Sequence, residues 1–317
     1  MTDIHAVIKA KFETANNILI VSHIRPDGDA IGSLLGLGLA LQNAGKHVQM
    51  VLNDGAPALF THLPGAAQIK KQPEPGFDLF VTVDCADFKR TGKQFQEMRK
   101  PDINIDHHVT NEKFAEINLV EAEAVATSEV LTSYLPEWGL AITPEVAAAL
   151  TTGIVTDTLG FRTSNTSASS LRRMATLMET GINMPELYNR ALNYRAYSAA
   201  RYWGAGLSSL KSEDSIVYGT LRLSDRRETG YGGNDDADLI NIISTITDHV
   251  VGMIFVEQTD GTVKISWRAL QSGINVSPIA KSFGGGGHAA AAGADIPGSL
   301  EEIQPRVLAA TREMLNL

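Results

Sequence analysis

The stretch Asn17–Val21 sets Ile18, Leu19, Ile20 and Val21 in unbroken succession, the pattern of a short strand buried on both faces. The apolar spacing then lengthens. Leu34, Leu35, Leu37, Leu39 and Leu41 recur through residues 30–44 as on a helix, and Gly45 stands where a helix C-cap belongs. Residues 46–52, 77–83 and 102–105 read as further strands, with helical stretches at 57–62 and 92–99 between them. Near-continuous apolar strands interleaved with helices predict an α/β domain whose parallel sheet is covered by helices on both faces.

From residue 127 to about 202 the pattern turns almost wholly helical, at 127–134, 143–159, 167–180, 184–192 and a stretch through Trp203. Pro144 sits at a first-turn position. Met174 and Met178 share a helical face and are expected to pack in the core. A second alternation starts near residue 215, with strands at 215–223, 250–258 and 262–268, a helix at 238–247 and a short helix at 276–283. Asp260-Gly261 marks a hairpin that pairs the last two strands antiparallel. Two domains follow: a larger one over 1–192, a connecting stretch at 193–206, and a smaller α/β domain over 207–317, expected to bind substrate.

Composition narrows the class. The 317 residues, 44% hydrophobic and 20% charged with mean hydropathy near zero, describe an ordinary globular protein long enough for two cores. The first residues are acidic and polar where a signal peptide needs an apolar segment, and no uncharged apolar run reaches membrane-spanning length, so a cytoplasmic chain with no membrane partner is expected. The lone Cys85 excludes an intrachain disulfide. A formal charge of -9 argues against coating long nucleic acid, duplex included, because such affinity comes mostly from Lys and Arg on phosphates.

The chemistry gathers at strand ends. His23, Asp27 and Asp29 follow the first strand within seven residues, with Pro26 and Gly28 tightening the turn; Asp84 and Asp87 follow the 77–83 strand; Asp106, His107 and His108 follow 102–105. Ligands of open α/β sheets bind at this carboxyl edge, and carboxylates converging there without a cation would repel one another. Mixed His and Asp donors suit a divalent transition ion. The competing reading of Asp29 is a helix N-cap. Asp157, set inside an apolar helical pattern, is another ligand candidate, since an unpaired buried carboxylate is costly. In the second domain Gly284, Gly285, Gly286 and Gly287 are expected to leave peptide N–H groups open to an anion, with a flexible loop as the alternative. His288 and Arg268 add a phosphate-binding character. Asp87 and Arg90 are candidates for orienting ligands, and Arg162 for reaching a phosphate. His5, His47, His62 and His249 fall outside every motif and are assigned surface or packing roles.

Taken in order, His23-x-x-x-Asp27-x-Asp29, Val83-Asp84-x-x-Asp87, Asp106-His107-His108, Gly153-Ile-x-x-Asp157 and Gly284 to His288 resemble the motifs of the DHH phosphoesterase family and its associated C-terminal domain, over nearly the whole chain. Within the family the chain is most similar to stand-alone nanoRNases that also act on 3'-phosphoadenosine 5'-phosphate. The resemblance implies two manganese ions, one held by His23, Asp27 and Asp84, the other by Asp29, Asp84, His107 and Asp157. It implies His108 as a phosphate contact and proton donor, and Arg268, the glycine run and His288 as the substrate anchor across an interdomain cleft. Ala269 stands where a serine is expected. The implied substrates are short single-stranded oligonucleotides cut to nucleoside monophosphates. Cyclic or linear dinucleotides are an alternative, as is a non-catalytic nucleotide-binding regulator; an inorganic pyrophosphatase is disfavoured by the second domain. A homodimer is compatible with these features.

Overall fold

In the computed structural model, which describes residues 3–317, the chain divides into one unit ending at Tyr194 and another spanning Arg195–Leu317. The first unit is built on five parallel strands, β1 (Asn17–Val21), β2 (His47–Val51), β3 (Leu79–Val83), β4 (Ile103–Asp106) and β5 (Ile117–Val120), in the order β2-β1-β3-β4-β5. The register pairs Val21 with Val51 and Thr82, and Val83 with Ile105. Every residue of β3 and β4 is buried, which is why these segments read as continuous rather than alternating.

The helices of this unit are α1 (Ile4–Thr14), α2 (Gly28–Asn43), α3 (Lys93–Gln96), α4 (Thr127–Tyr134), α5 (Pro144–Asp157), α6 (Ala168–Met178) and α7 (Met184–Tyr188). Helix α2 is buried from Gly28 to Leu41, so its sequence is apolar all round instead of on one stripe. It packs against α5 at backbone distance. A Cβ built on Gly32 would lie 2.7 Å from the Ala149 carbonyl oxygen and 2.8 Å from the Gly153 nitrogen, so only hydrogen fits there. This approach brings the end of α5, with Asp157, to the start of α2, with Asp27 and Asp29. Gly28, expected to tighten a turn, is instead the first helical residue, and a side chain there would strike Thr156.

The second unit contains α8 (Tyr197–Ser208), β6 (Lys211–Glu213), β7 (Ile216–Leu221), α9 (Leu223–Thr229), α10 (Leu239–Ile243), β8 (Val251–Glu257), β9 (Thr262–Ala269), α11 (Ser277–Ser282), β10 (Gly286–Gly287), β11 (Ala291–Pro297) and α12 (Leu300–Leu315). Its six-stranded sheet runs β10-β11-β9-β8-β7-β6, with β7 and β8 parallel and the other neighbours antiparallel. One face carries Met253, Phe255, Ile265 and Trp267 and packs with Ile279 and Val307 of α11 and α12; the other carries Val217, Ile254 and Val256 and packs with Tyr202 and Ile240 of α8 and α10. The expected hairpin is present between β8 and β9, with Gly261 at φ 80°.

Several expectations change in place. The stretch 193–206 is largely helix α8, which buries Ala199, Tyr202 and Gly206 in the second unit. The helical stretch at 57–62 shortens to the single turn Ala58–Phe60, and that at 92–99 to α3. Met174 is buried, but Met178 is half-exposed at the last turn of α6. Helices α1, α9 and α12 and strands β5, β6, β10 and β11 were not foreseen. Strand β5 is a four-residue edge with one fully buried side chain, β11 buries mainly alanines, and α12 carries Pro305 inside it. Among the described residues no helix is long and apolar enough to cross a membrane.

The α2–α5 contact yields a direct test. Gly32→Ala should destabilise the protein by about 1–3 kcal/mol, because the clashing atoms are backbone and cannot rotate away. Gly204→Ala, on α8 with nothing within 4 Å of the added carbon, should be neutral or stabilising by up to about 1 kcal/mol. Chemical denaturation of both variants checks the contrast; equal effects would remove the steric reading.

Candidate metal centre

His23, Asp27, Asp29, Asp84, His107, His108 and Asp157 come together at the sheet edge, whereas Asp87 does not join them. His23 lies two residues beyond β1, Asp84 follows β3, Asp106 ends β4, and His107 and His108 follow it. Asp84 adopts φ 51°, a left-handed conformation that aspartate tolerates better than most residues, and its peptide N–H donates to the Ile105 carbonyl at 2.9 Å.

Two donor sets result. His23 Nε2 lies 3.7 Å from Asp27 Oδ2 and 3.5 Å from Asp84 Oδ2. His107 Nε2 lies 3.8 Å from Asp84 Oδ1 and 3.5 Å from Asp157 Oδ2, and Asp29 joins His107 and Asp157 in one cluster. These separations are too long for hydrogen bonds. They match two donors each about 2.1 Å from a common divalent ion, which stand about 3 to 4 Å apart. The residues present therefore fit a metal site. Both histidines are prepared for it, since Nδ1 of His23 faces the Ile24 carbonyl at 2.9 Å and Nδ1 of His107 faces the Ala124 carbonyl at 3.2 Å. A proton on each Nδ1 leaves the Nε2 lone pair free.

Each carboxylate is held from behind. Asp27, not Asp29, is the N-cap of α2: its Oδ1 accepts from the N–H groups of Asp29 and Ala30, which leaves Oδ2 for His23. Asp29 sits at the N-terminus of α4, accepting from the peptide N–H of Thr127 at 2.6 Å and of Ser128 at 3.0 Å, and from the Ser33 hydroxyl at 3.2 Å. Asp84 Oδ1 accepts from the Thr127 hydroxyl at 3.0 Å. Asp106 is fully buried and is no ligand candidate. It accepts from His108 Nδ1 at 2.7 Å and from Asn111 Nδ2 at 2.6 Å, and Asn111 continues to Asn104, which donates to Thr82 Oγ1 at 2.9 Å. Ser33, Asn104, Asn111, Thr127 and Ser128 were missed from sequence, where single polar residues in or beside apolar elements carry no distinctive spacing.

The electrostatics reflect crowding. Burial, followed by the charges of Asp84 and Asp157, pushes the Asp29 carboxyl well above the usual carboxylate range. Burial likewise pushes Asp157 up to about 6, against the pull of His107. Burial also disfavours charge on Asp84, but the imidazole of His23 close beside it, joined by the charges of His108 and His107, outweighs burial and holds Asp84 at about 2. His108 is raised to about 9, because the Asp106 hydrogen bond and charge overcome its burial. Cys85, beside Asp84, is buried and pushed up to about 12, which makes it an inert thiol.

Of the remaining candidates, Asp87 caps the turn Phe88–Thr91, Arg90 accepts from Ile24 N–H through its carbonyl and sets its guanidinium Nη2 3.4 Å from His23 Nδ1, and Arg162 is exposed. His5 stacks on Tyr134, His62 faces the Leu59 carbonyl, and His249 bonds Ser212 and Asp248. A cavity of about 410 Å³ lined by Glu121, Glu123, Glu129 and Tyr134 contains none of the ligand candidates.

In the second unit Arg268 pairs across the sheet with Ala291, and the peptide groups of His288 and Ala291 exchange hydrogen bonds of 2.8 and 3.2 Å, so the two candidates flank one residue. Burial lowers Arg268 from its usual value, with Asp236 and Asp238 opposing. The glycine run is not the row of free N–H groups expected. Gly284 N–H donates to Lys281 and Gly285 N–H to Ala280, closing α11, while Gly286 and Gly287 pair with β11. Its glycines answer to close packing: a Cβ on Gly285 would lie 2.1 Å from the Gly293 carbonyl, and Gly287 has φ 142°.

A parallel sheet that presents clustered aspartates and histidines at its carboxyl edge, followed by this mixed-sheet unit, is the arrangement of a phosphoesterase of the DHH type. The chain belongs to the DHH family: the DHH family N-terminal domain matches residues 17–154 and the DHHA1 domain residues 214–316. It is 35% identical over 306 residues to the bifunctional oligoribonuclease and PAP phosphatase NrnA of Thermus thermophilus, covering 94% of this chain and 90% of that protein. The crystal structure of an exopolyphosphatase-related protein from Bacteroides fragilis superposes with a TM-score of 0.90 at 27% identity, over 99% of this chain and 98% of that one. RecJ from Thermus thermophilus in complex with Mn2+ shares the fold, with a TM-score of 0.54 at 14% identity over 98% of this chain and 54% of RecJ.

The raised Asp157 has a stability consequence. Between about pH 4 and about pH 6 the folded protein binds more protons at this site than the unfolded chain, so stability falls as pH rises through that window. The Asp157 side chain is 34% exposed, which discounts the effect to on the order of 1 kcal/mol. In excess chelator at pH 7, Asp157→Asn should melt higher than wild type by about 2 to 4 °C, and the gain should vanish at pH 4. Calorimetry at the two pH values decides this; an equal or lower melting temperature at pH 7 would contradict the crowding.

Proposed function

We propose that the chain is a two-cation phosphodiesterase that cuts short single-stranded oligonucleotides to nucleoside monophosphates and also takes 3'-phosphoadenosine 5'-phosphate, with manganese as the preferred ion. One observation carries the reading: Asp84 turns one oxygen to His23 and the other to His107, so a single carboxylate serves both donor sets. The similarity to a protein named for oligoribonuclease and PAP phosphatase activity, over most of both chains, supports the substrate class. The set His23, Asp27 and Asp84 would hold one ion, and Asp29, Asp84, His107 and Asp157 the other. When bound, such ions supply charge neutralisation at the phosphoryl oxygens and a water more acidic than bulk water.

The chain's own groups account for the rest. Hydrolysis puts a water oxygen on phosphorus and a proton on the departing ester oxygen. His108, whose Nδ1 is engaged by Asp106, has Nε2 left to contact a phosphoryl oxygen and to give that proton. Asp106 fixes the ring, and Asn111 fixes Asp106. Arg268 and His288 would hold the substrate's far phosphate or terminal nucleotide.

Asp84→Ala should abolish turnover, as should chelation, because loss of one residue disturbs both sets; full activity after verified metal removal would overturn the two-cation reading. His288→Ala and Arg268→Ala should lower kcat/KM for dinucleotides at least tenfold more than for a small artificial phosphodiester. Equal losses would assign these residues to the reaction step or the fold. A net charge of -9 and a single anchor also predict faster cleavage of di- to tetranucleotides than of decanucleotides. Initial rates against length at fixed salt test this, and a rate that climbs steadily with length would favour an extended binding groove.

A further inference from the structure

Thr127 touches both donor sets through different atoms. Its peptide N–H donates to Asp29 Oδ2 at 2.6 Å and its hydroxyl to Asp84 Oδ1 at 3.0 Å. The residue is fully buried and is the first residue of α4, so its backbone is fixed by the helix it opens. Asp84 can serve two sets only while Oδ2 faces His23 and Oδ1 faces His107. The Cβ–Cγ torsion of aspartate is soft, and with Oδ2 anchored on the His23 side by a first ion the carboxylate can still pivot about that oxygen and carry Oδ1 away from His107. On the Oδ1 side the Thr127 hydroxyl is the hydrogen-bond donor that opposes this rotation. Asp29 does not depend on that hydroxyl, since it is also held by Ser128 N–H and the Ser33 hydroxyl.

We infer that Thr127 is a positioning residue that keeps Asp84 in its bridging orientation and thereby sets the affinity of the second cation position, the one formed with Asp29, His107 and Asp157. The inference rests on the two-cation reading above and adds to it the residue that couples the two positions. Partners that orient metal ligands from outside the donor set are worth about 10- to 100-fold in affinity. Removing only the hydroxyl should therefore weaken one position and spare the other, whereas a residue that merely supports the fold would weaken both or neither.

The test uses Mn2+ alone, titrated into metal-stripped full-length wild type, Thr127→Val and Thr127→Ser. Binding is followed by calorimetry and by electron paramagnetic resonance, in which a spin-coupled pair of ions is distinguished from isolated ones. Wild type and Thr127→Ser should take up two ions and show the coupled signal. Thr127→Val should keep the first affinity, lose about 10- to 100-fold at the second, and show isolated-ion signal until Mn2+ is in large excess. If valine lowers the melting temperature, Thr127→Ala, which lacks the hydroxyl without the added methyl, carries the same comparison. A hydroxyl-free variant with wild-type second affinity and coupled signal overturns the inference, as do equal losses at both positions or failure of serine to restore binding. A wild-type protein that binds one ion overturns the two-cation reading itself, and the inference with it.

Discussion

Repulsion among aspartates governs the architecture of the first unit. Asp27, Asp29, Asp84, Asp106 and Asp157 converge at one sheet edge, several of them buried, where like charges are least screened. Most of what surrounds them holds these groups in place against that repulsion. The N-terminus of α2 takes one oxygen of Asp27, the N-terminus of α4 takes Asp29, and His108 and Asn111 take Asp106. Helix N-termini are suited to this because their free N–H groups and dipole favour negative charge. The carboxylates thus keep some lone pairs committed to the protein and others turned inward, the division that a metal centre needs.

Bringing Asp157 into this group is a packing problem. It arrives at the end of α5, and only because α5 lies against α2 with no side chain between Gly32 and the Ala149–Gly153 backbone. Gly153 is part of the same contact, since a Cβ there would lie 2.7 Å from Asp29 Oδ1 and closer still to the Ser128 hydroxyl. Small residues in the helix interface therefore serve the chemistry indirectly. The helix pair places a carboxylate from late in the unit beside those from its beginning.

The second unit uses glycine for a related reason. Its Gly284 to Gly287 run closes α11 and then enters the sheet beside β11 at a separation no side chain would permit. The outcome is a defined turn that carries an exposed His288 beside β11, one strand away from Arg268. What the run contributes is the placement of His288 in the turn before β11, whose first residue Ala291 pairs with Arg268 of β9, more than a set of open peptide groups.

The sequence alone determined the parallel α/β sheet, because strands buried on both faces must be continuously apolar, and it determined the membership of the cluster, because ligands at the ends of three such strands necessarily share an edge. His23, Asp27, Asp29, Asp84 and His107 were legible in this way, and Asp157 as a carboxylate set inside an apolar helical pattern. Only the tertiary structure decided which oxygen of Asp84 faces which histidine, that Asp27 and not Asp29 caps α2, and that Asp106 holds His108 and stays out of the donor set. It also decided the roles of Thr127, Ser128, Asn104 and Asn111, whose partners lie far away along the chain or across a strand. Period and spacing report what one element presents to its surroundings. The direction of a carboxylate, and the hydrogen bond that fixes it, depend on a second element whose distance is set by packing, and no local pattern encodes that distance.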